Sequence, residues 1–573
     1  MPPSNLQIAA AFDEIADILE FQNANPFRVR AYRKAARVVG DLTEPLAAVA
    51  DDPNRNLTEI EGIGDDLAGK IAAMLADGTM PQLAELQAQV PKGVLALMRV
   101  PGLGPKKAAV LHKELGIHSL DELKAACLEQ RVRTVKGFGA KTEETILAGL
   151  DIAAAGDQRV LWADADAVVR QMASDLRSVE GVRRLEAAGS YRRGKETVGD
   201  LDFVAVAEAP ATLMDRLAAL VGADHVTARG ETKMSVRLPT SVQVDLRIVP
   251  EESFGAALQY FTGSKDHNVV VRGLAKDQGL KINEYGVFRG ETYVAGRTEE
   301  DVYAAVGLPW FPPELREARR EFDWARSVGL PQLLEVGDLI GDLHMHTNET
   351  DGKSTLEEMV AAARRRGLRY VAITDHSQRV AMANGLTPER ARRQWEAIDR
   401  LNSTLADFTV LKGIECDILE AGGLDLPDDV LAEADWVVAS VHYGQNQPRE
   451  QITARIVDAL AHPYVSAVAH PTGRLINRRK PYDVDLAAVI EAAKRYGKFL
   501  ELNANPWRLD LDDTACAAAK QQGVPIVIST DAHGVKELDK MRYGVLQARR
   551  AGLTKADVVN SRPWSDVKKL LQR

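Results

Sequence analysis

The sequence predicts a multidomain chain with α-helical domains first, an α/β domain and a smaller companion in the middle, and a C-terminal β/α barrel. Three observations carry this prediction. A glycine turn followed by a helix occurs three times before residue 140, one strand opens with two aspartates among apolar residues, and beyond residue 340 short apolar runs repeatedly end in His, Asp or Glu.

The chain's 573 residues, 45% hydrophobic and 27% charged, suffice for several cores. Its formal net charge of -10 rules out non-specific attraction to nucleic acid by the protein as a whole. A nucleic-acid site must therefore be locally basic or use backbone dipoles and metal ions. Cys127, Cys416 and Cys516 lie far apart, with no zinc-like spacing, as in a reduced intracellular protein. No apolar run approaches membrane-spanning length and the first residues lack an export signal, so a cytoplasmic, nucleoid-associated location is expected.

The first segment reads as helices, with Ile8, Phe12, Ile15, Ile18 and Leu19 at helical spacing and Arg30, Arg33, Lys34 and Arg37 on one face of the next helix. Gly62-Ile63-Gly64, Gly102-Leu103-Gly104 and Gly137-Phe138-Gly139 each precede a helix, closed by Ile71, Leu111 and Ile146 nine positions after the first glycine. Paired glycines let the backbone turn tightly and approach a ligand, while the following helix N-terminus presents N–H groups. Such a turn grips a phosphodiester backbone without reading bases, and it resembles the helix-hairpin-helix motif. The third copy, with Glu143 and Glu144 in its helix, suits a structural role.

The central stretch runs Gly189-Ser190-Tyr191-Arg192-Arg193-Gly194 through Gly199-Asp200-Leu201-Asp202 into an apolar strand. Period two puts Asp200 and Asp202 on one face. Ionised carboxylates in apolar surroundings call for a metal or a cationic partner. Ser190, Arg192, Arg193 and the loop N–H groups suit a phosphate. Asp245, in Val244-Asp245-Leu246, supplies a third strand carboxylate. Three aspartates beside a phosphate-holding loop fit two-metal phosphoryl transfer.

This pattern resembles the nucleotidyltransferases, specifically the DNA polymerase X family, and the likeness continues through Tyr260-Phe261-Thr262-Gly263, Asn268, Arg272 and Lys281-Ile282-Asn283-Glu284-Tyr285-Gly286. The resemblance implies a palm and thumb in which Asp200, Asp202 and Asp245 hold Mg2+ or Mn2+ and catalyse nucleotidyl transfer. Ser190, Arg193 and Gly199 would hold the incoming dNTP phosphates, and Tyr260, Phe261, Gly263 and Asn268 its sugar and base. Gly62, Gly64, Gly102, Gly104 and Arg272 would contact gapped or primer-template DNA. Lys70 falls where lyase-active relatives carry a Schiff-base lysine, yet Asp65 and Asp66 precede it and Phe27-Arg28 replaces a His-Lys pair. Nearby acids raise a lysine pKa, which opposes that chemistry.

Leu308-Pro309 to Pro331 reads as a linker, with Arg316 to Glu321 as a short charged helix. Seven of the eleven histidines follow it. His344 and His346 with Asp351, then His376, Glu415, His442, His470, and Asp531 with His533, stand at or just beyond the ends of apolar runs separated by amphipathic helices. Buried parallel strands with ligands at their C-terminal ends describe a β/α barrel active site. Nitrogen and carboxylate donors together suit Zn2+, Mn2+ or Fe2+, two or three ions in all. His462 stands on a helix end, outside the set. Lys353, Arg474 and Arg508 lie near the ligand loops as candidate phosphate contacts.

The order His-x-His, Asp-His, Glu, His, His, Asp-x-His resembles the PHP (polymerase and histidinol phosphatase) domain. That resemblance implies His344, His346, Glu415 and Asp531 on one ion, Glu415 bridging to a second with His442 and His470, and Asp351, His376 and His533 on a third. It gives expected boundaries of 1–85 (lyase-like helices), 86–155 (fingers), 156–250 (palm), 251–317 (thumb), 318–340 (linker) and 341–573 (PHP). The whole implies a monomeric gap-filling repair polymerase with a metal-dependent 3'-5' exonuclease; abasic-site endonuclease or 3'-phosphatase activity accompanies some relatives. The alternative is a PHP nuclease using an inactive polymerase core to bind DNA.

Overall fold

A computed structural model describes residues 3–571 except 4, 43–45, 61, 91, 101–102, 156–158, 223–224, 239 and 241. The chain forms two compact units, Met1–Gln158 and Arg159–Arg573.

The first unit is helical, and one apolar core runs through it from Ile8 to Leu150. The helices Asp65–Asp77 and Pro105–Leu115 are N-capped by Gly64 and Gly104, and Ala140–Ala155 begins directly after Gly139. Gly62 and Gly137 take φ of 95° and 91°, which a side chain would strain. Ile71, Leu111 and Ile146 are fully buried, so the three turns share one packing device. Gly102 lies outside the described residues. In the third copy Glu143 is buried and accepts from Arg133 N at 2.8 Å and Arg133 Nε at 2.6 Å, a structural use of an acid.

The second unit opens with β1 (Val160–Leu161) and β2 (Val182–Ala187), a helical turn Gly189–Arg192, β3 (Thr197–Val198) and β4 (Asp200–Ala207). β5 (Val226–Arg229), β6 (Lys233–Arg237) and β7 (Gln243–Ile248) complete a five-stranded sheet of order β2-β4-β7-β6-β5. β4 and β7 are parallel neighbours, which places Asp202 opposite Asp245. The helices Phe254–Thr262 and Lys265–Asp277 follow, then the meander β8 (Lys281–Asn283), β9 (Gly286–Arg289) and β10 (Thr292–Ala295).

The charged run 316–321 is not the short helix expected. Arg316 is fully buried, its guanidinium on Glu299 at 2.6 Å and on the Phe311 carbonyl, and the helix starts only at Glu321. Glu321 is also buried, accepting from the backbone of Ala318 and Arg319 and facing His267 Nδ1 at 2.9 Å. Phe322 joins the apolar core of Val271, Tyr303 and Phe311, so this segment is packed against the preceding domain.

Seven parallel strands in sequential order form the C-terminal barrel: β11 (Gly341–Asp342), β12 (Tyr370–Ile373), β13 (Thr409–Asp417), β14 (Trp436–Ser440), β15 (Ala467–Val468), β16 (Phe499–Asn503) and β17 (Ile526–Ser529). Their residues are almost wholly buried, as strands covered on both faces must be. The first and last strands nearly close the barrel. At the C-terminal end Asp531 N donates to His344 O at 2.9 Å and His346 N to Ala532 O at 2.8 Å. At the other end the Asn560 side chain donates to Gly341 O and Ile528 O, each at 2.7 Å, and accepts from Ile528 N at 3.1 Å.

Candidate functional site

The acidic centre lies where the helical turn meets β4. Gly189 has φ of 63°, and a Cβ there would collide with Asp202 Oδ2, so only glycine allows the turn to pass this close to the carboxylate. Asp200 and Asp202 open into a cavity of about 830 Å³, lined also by Ser190, Arg193, Tyr260 and Phe261. Gly263, Asn268 and Arg272 share that wall. Asp245 stands opposite Asp202, its oxygens accepting from Ser235 Oγ and from Gln243 Nε2. Burial first, then Asp200 and Asp245, push the Asp202 carboxyl up to about 7. Burial and Asp245 likewise raise Asp200. A divalent cation relieves this clustering.

The Ser190 hydroxyl is buried without a hydrogen-bond partner and belongs to the cavity wall, as suits a group awaiting an anionic oxygen. Arg193 donates from Nε to Glu317 at 3.1 Å and from Nη1 to the Thr262 carbonyl. Lys195 also lines the cavity, its ammonium pushed down by burial. Arg192, expected beside them at a phosphate, is engaged elsewhere: it forms a two-pronged pair with Glu299 at 2.7 and 2.8 Å. Tyr260 and Phe261 pack edge to face with ring centres 5.2 Å apart. Asn268 is held by Gln259 Nε2 and by the Tyr260 carbonyl, fixing its amide at the wall. Gly199 sits under Arg159, 3.2 Å from where a Cβ would stand. Lys70, in the first unit, pairs with Asp66 and lies 5.8 Å from the Tyr32 ring centre.

The second centre occupies the C-terminal end of the barrel. Eight of the nine expected donors fall into three overlapping groups: His346, Asp351, His376 and His533; His344, His346 and Asp531; and His376, Glu415 and His442. His470, the ninth, reaches Glu415 Oε1 with its Nε2 at 3.1 Å. Glu415 is central, with His376 Nδ1 at 2.8 Å, His344 Nε2 and His442 Nε2 each at 3.4 Å, and His346 Nε2 at 3.6 Å. Burial acts to raise its carboxyl, but His376, His344 and His442 hold it well below the ordinary carboxylate range.

His344 Nε2, both ring nitrogens of His346, and His376 Nδ1 are buried and make no directed hydrogen bond. Orphaned imidazole nitrogens converging with three carboxylates fit divalent cations. His470 and Asp531 take φ of 30° and 51°, left-handed backbone that costs on the order of 1–3 kcal/mol at each and turns these donors into the mouth.

A layer of residues absent from the expected set orients the donors. Glu501 Oε1 lies 2.7 Å from His344 Nδ1, and Glu501 Oε2 accepts from His470 N. Asp417 Oδ1 faces His442 Nδ1 at 2.9 Å. Asn503 Nδ2 donates to Asp531 Oδ2 at 3.1 Å. Such partners fix ring orientation and tautomer. Alternation on the strands was the available signal: Asp417 lies two residues after Glu415, and Glu501 and Asn503 share β16. Arg508 Nε stands 3.7 Å from Asp531 Oδ2 at the rim, whereas Arg474 reaches away to Glu196. His462 pairs with Asp428 at 3.2 Å, outside the cluster.

Family models match at 3–80 (helix-hairpin-helix domain), 94–151 (SAM-like helix-hairpin-helix tandem), 257–317 (DNA polymerase beta thumb) and 342–505 (PHP domain). The "DNA polymerase/3'-5' exonuclease PolX" of Bacillus subtilis is 42% identical over 99% of each chain. A "probable phosphatase" of Acetivibrio thermocellus is 34% identical over 34% of this chain and 78% of its own, and one of Thermoanaerobacter sp. is 30% identical over 39% and 91%. With the thumb and PHP matches, similarity to the Bacillus subtilis polymerase along the whole length shows that the chain belongs to the PolX family of DNA polymerases joined to a PHP domain.

Proposed function

We propose that the chain fills short gaps in DNA by template-directed nucleotidyl transfer at Asp200, Asp202 and Asp245, and removes 3'-terminal nucleotides at the barrel cluster. The observation that carries this reading is the presence of two separate donor sets, each complete, in one compact unit. Divalent cations, Mg2+ or Mn2+ at the aspartates and Mn2+, Zn2+ or Fe2+ at the histidines, would supply Lewis-acid stabilisation and an activated oxygen nucleophile.

At the first centre Asp200 and Asp202 would hold both cations, and Asp245 would help hold the one that serves the primer 3'-hydroxyl. Ser190, Arg193 and the adjoining loop hold the outer phosphates of the dNTP, leaving pyrophosphate as product. Tyr260, Phe261 and Gly263 bound the sugar edge, and Asn268 and Arg272 the base and template side. At the second centre the nine donors would hold the cations, Glu501 and Asp417 orient histidines, and Arg508 would contact the scissile phosphate. The glycine turns at 62–64 and 102–104 grip the DNA backbone.

For Lys70 the resemblance gives a Schiff-base lysine, while in the structure its ammonium pairs with Asp66. Borohydride trapping on an incised abasic duplex, lost in Lys70→Ala, decides it. The proposal further includes the domain boundaries 1–85, 86–155, 156–250, 251–317, 318–340 and 341–573, a monomeric state and a cytoplasmic location. Among the described residues no helix is long and apolar enough to cross a membrane.

The test is a one-nucleotide-gapped, 5'-phosphorylated duplex incubated with the protein and manganese. Primer extension with dNTPs and shortening without them support the reading. Extension alone would remove the exonuclease, and shortening alone would favour a nuclease that uses the palm as a platform.

A further inference from the structure

The phosphate loop of the palm is held from outside by the PHP domain. The helix Met541–Arg550 lies against it: Gln547 Nε2 donates to Gly194 O at 2.9 Å and Arg550 Nη1 to Arg193 O at 2.8 Å. Both side chains are buried, and both line the cavity that Asp200 and Asp202 open into. Leu546 packs so closely on Gly194 that a Cβ there would stand 2.6 Å from it. Further along the loop, Arg474 pairs with Glu196 at 2.7 Å.

Glu317 joins these contacts electrostatically. Its carboxylate receives Arg193 Nε at 3.1 Å and Arg550 Nη1 at 3.0 Å, with Lys195 Nζ at 3.6 Å. Burial acts to raise it, but Arg550, Lys195 and Arg193 hold it at about 2. One anion is thus shared by two cations of the palm and one of the PHP domain. Without Arg550, Glu317 would bind Arg193 and Lys195 more strongly and compete with an incoming phosphate for them.

We propose that Arg550 and Gln547 of the PHP domain are positioning residues for the polymerase centre: they fix the Arg193–Gly194 backbone and divert Glu317, so that the incoming nucleotide's triphosphate finds the loop in its binding form. This rests on the reading that Ser190 and Arg193 hold that triphosphate. The helix therefore acts on nucleotide affinity at a centre to which it contributes no metal ligand.

Arg550→Gln, Gln547→Leu and Arg193→Ala, each in the full chain, are compared for gap filling and for shortening of single-stranded DNA. The expected result for the first two is a rise of about tenfold in KM for dNTP, the effect of one lost buried hydrogen bond or ion pair, with kcat and DNA shortening within about twofold. Adding Glu317→Gln to Arg550→Gln should recover the part of the KM rise that comes from Glu317 competing for Arg193 and Lys195, leaving the part due to the lost bond to the Arg193 carbonyl; a general loosening of the fold would show no such recovery. If Arg550→Gln does not fold, Gln547→Leu and a fluorescent-dNTP titration in Ca2+ decide the matter. An unchanged KM and nucleotide affinity in Gln547→Leu would then overturn the proposal. If Arg193→Ala leaves KM unchanged, the triphosphate reading itself falls. If Arg193→Ala raises KM while neither PHP-domain variant does, the loop reading stands and the positioning role is wrong.

Discussion

Asp202 and Asp245 face each other across the parallel strands β4 and β7, and Asp200 lies one pleat away on the same face as Asp202. Without cations, burial and mutual repulsion hold the Asp202 carboxyl at about 7, above its ordinary value of 3.8. The folded state then binds the proton more tightly than the unfolded state, so this group's contribution to stability falls as pH rises from about 4 to about 7. Asp202→Asn should abolish synthesis and, in chelator at pH 8, raise stability by at most a few kcal/mol. At pH 4 the difference should vanish, and saturating Mn2+ should remove the advantage at pH 8. Melting curves of the two proteins at both pH values check this.

Gly189 lets the turn at 189–194 pass over Asp202. Gly189→Ala adds a methyl group where a carboxylate oxygen stands and strains a φ of 63°. A displacement near 1 Å at a reacting centre costs about 100-fold. Primer extension should fall by about that factor while DNA shortening at the barrel stays at its wild-type rate.

Glu501 holds His344 by Nδ1 and the His470 backbone by its other oxygen. Loss of such a partner weakens metal binding by about 10–100-fold. Glu501→Ala should therefore retain less metal after dialysis and lose exonuclease activity in proportion. Gap filling should be unaffected, and excess Mn2+ should recover part of the lost exonuclease activity.

Asn560 ties the two edge strands of the barrel with three hydrogen bonds from its side-chain amide. Asn560→Leu leaves the Gly341 and Ile528 backbone groups without partners in a buried place, at about 1–3 kcal/mol for each lost partner. A lowered melting temperature of the Arg159–Arg573 unit is expected. Replacement by Gln should not rescue it, because the longer amide cannot reach the same three groups.

The convergence of the barrel donors was legible because each closes or follows an apolar run short enough to be a buried strand, and the acidic pair because alternation puts Asp200 and Asp202 on one face. The repeated glycine turn was legible from spacing, and Gly64 and Gly104 cap the helices it announced. What escaped depends on partners distant in the chain. Arg316 stands in a charged run read as a short helix, but Glu299 waits for it in the core. Arg192 looks like a phosphate ligand beside Arg193, yet Glu299 takes it too. Arg550 and Gln547 sit on an amphipathic helix with no local sign that they reach residues 193 and 194. Local periodicity reports which face is buried, and it does not report which distant group that face will meet.

Two chemically independent centres in one chain should be separable by single substitutions. Asp200→Ala and His344→Ala are each given the one-nucleotide-gapped duplex with Mn2+, with and without dNTPs, and the primer is followed on a gel. Asp200→Ala should lose extension and keep shortening, and His344→Ala should do the reverse. A single substitution that removes both activities, in a protein whose melting curve is unchanged, would contradict the two-centre account.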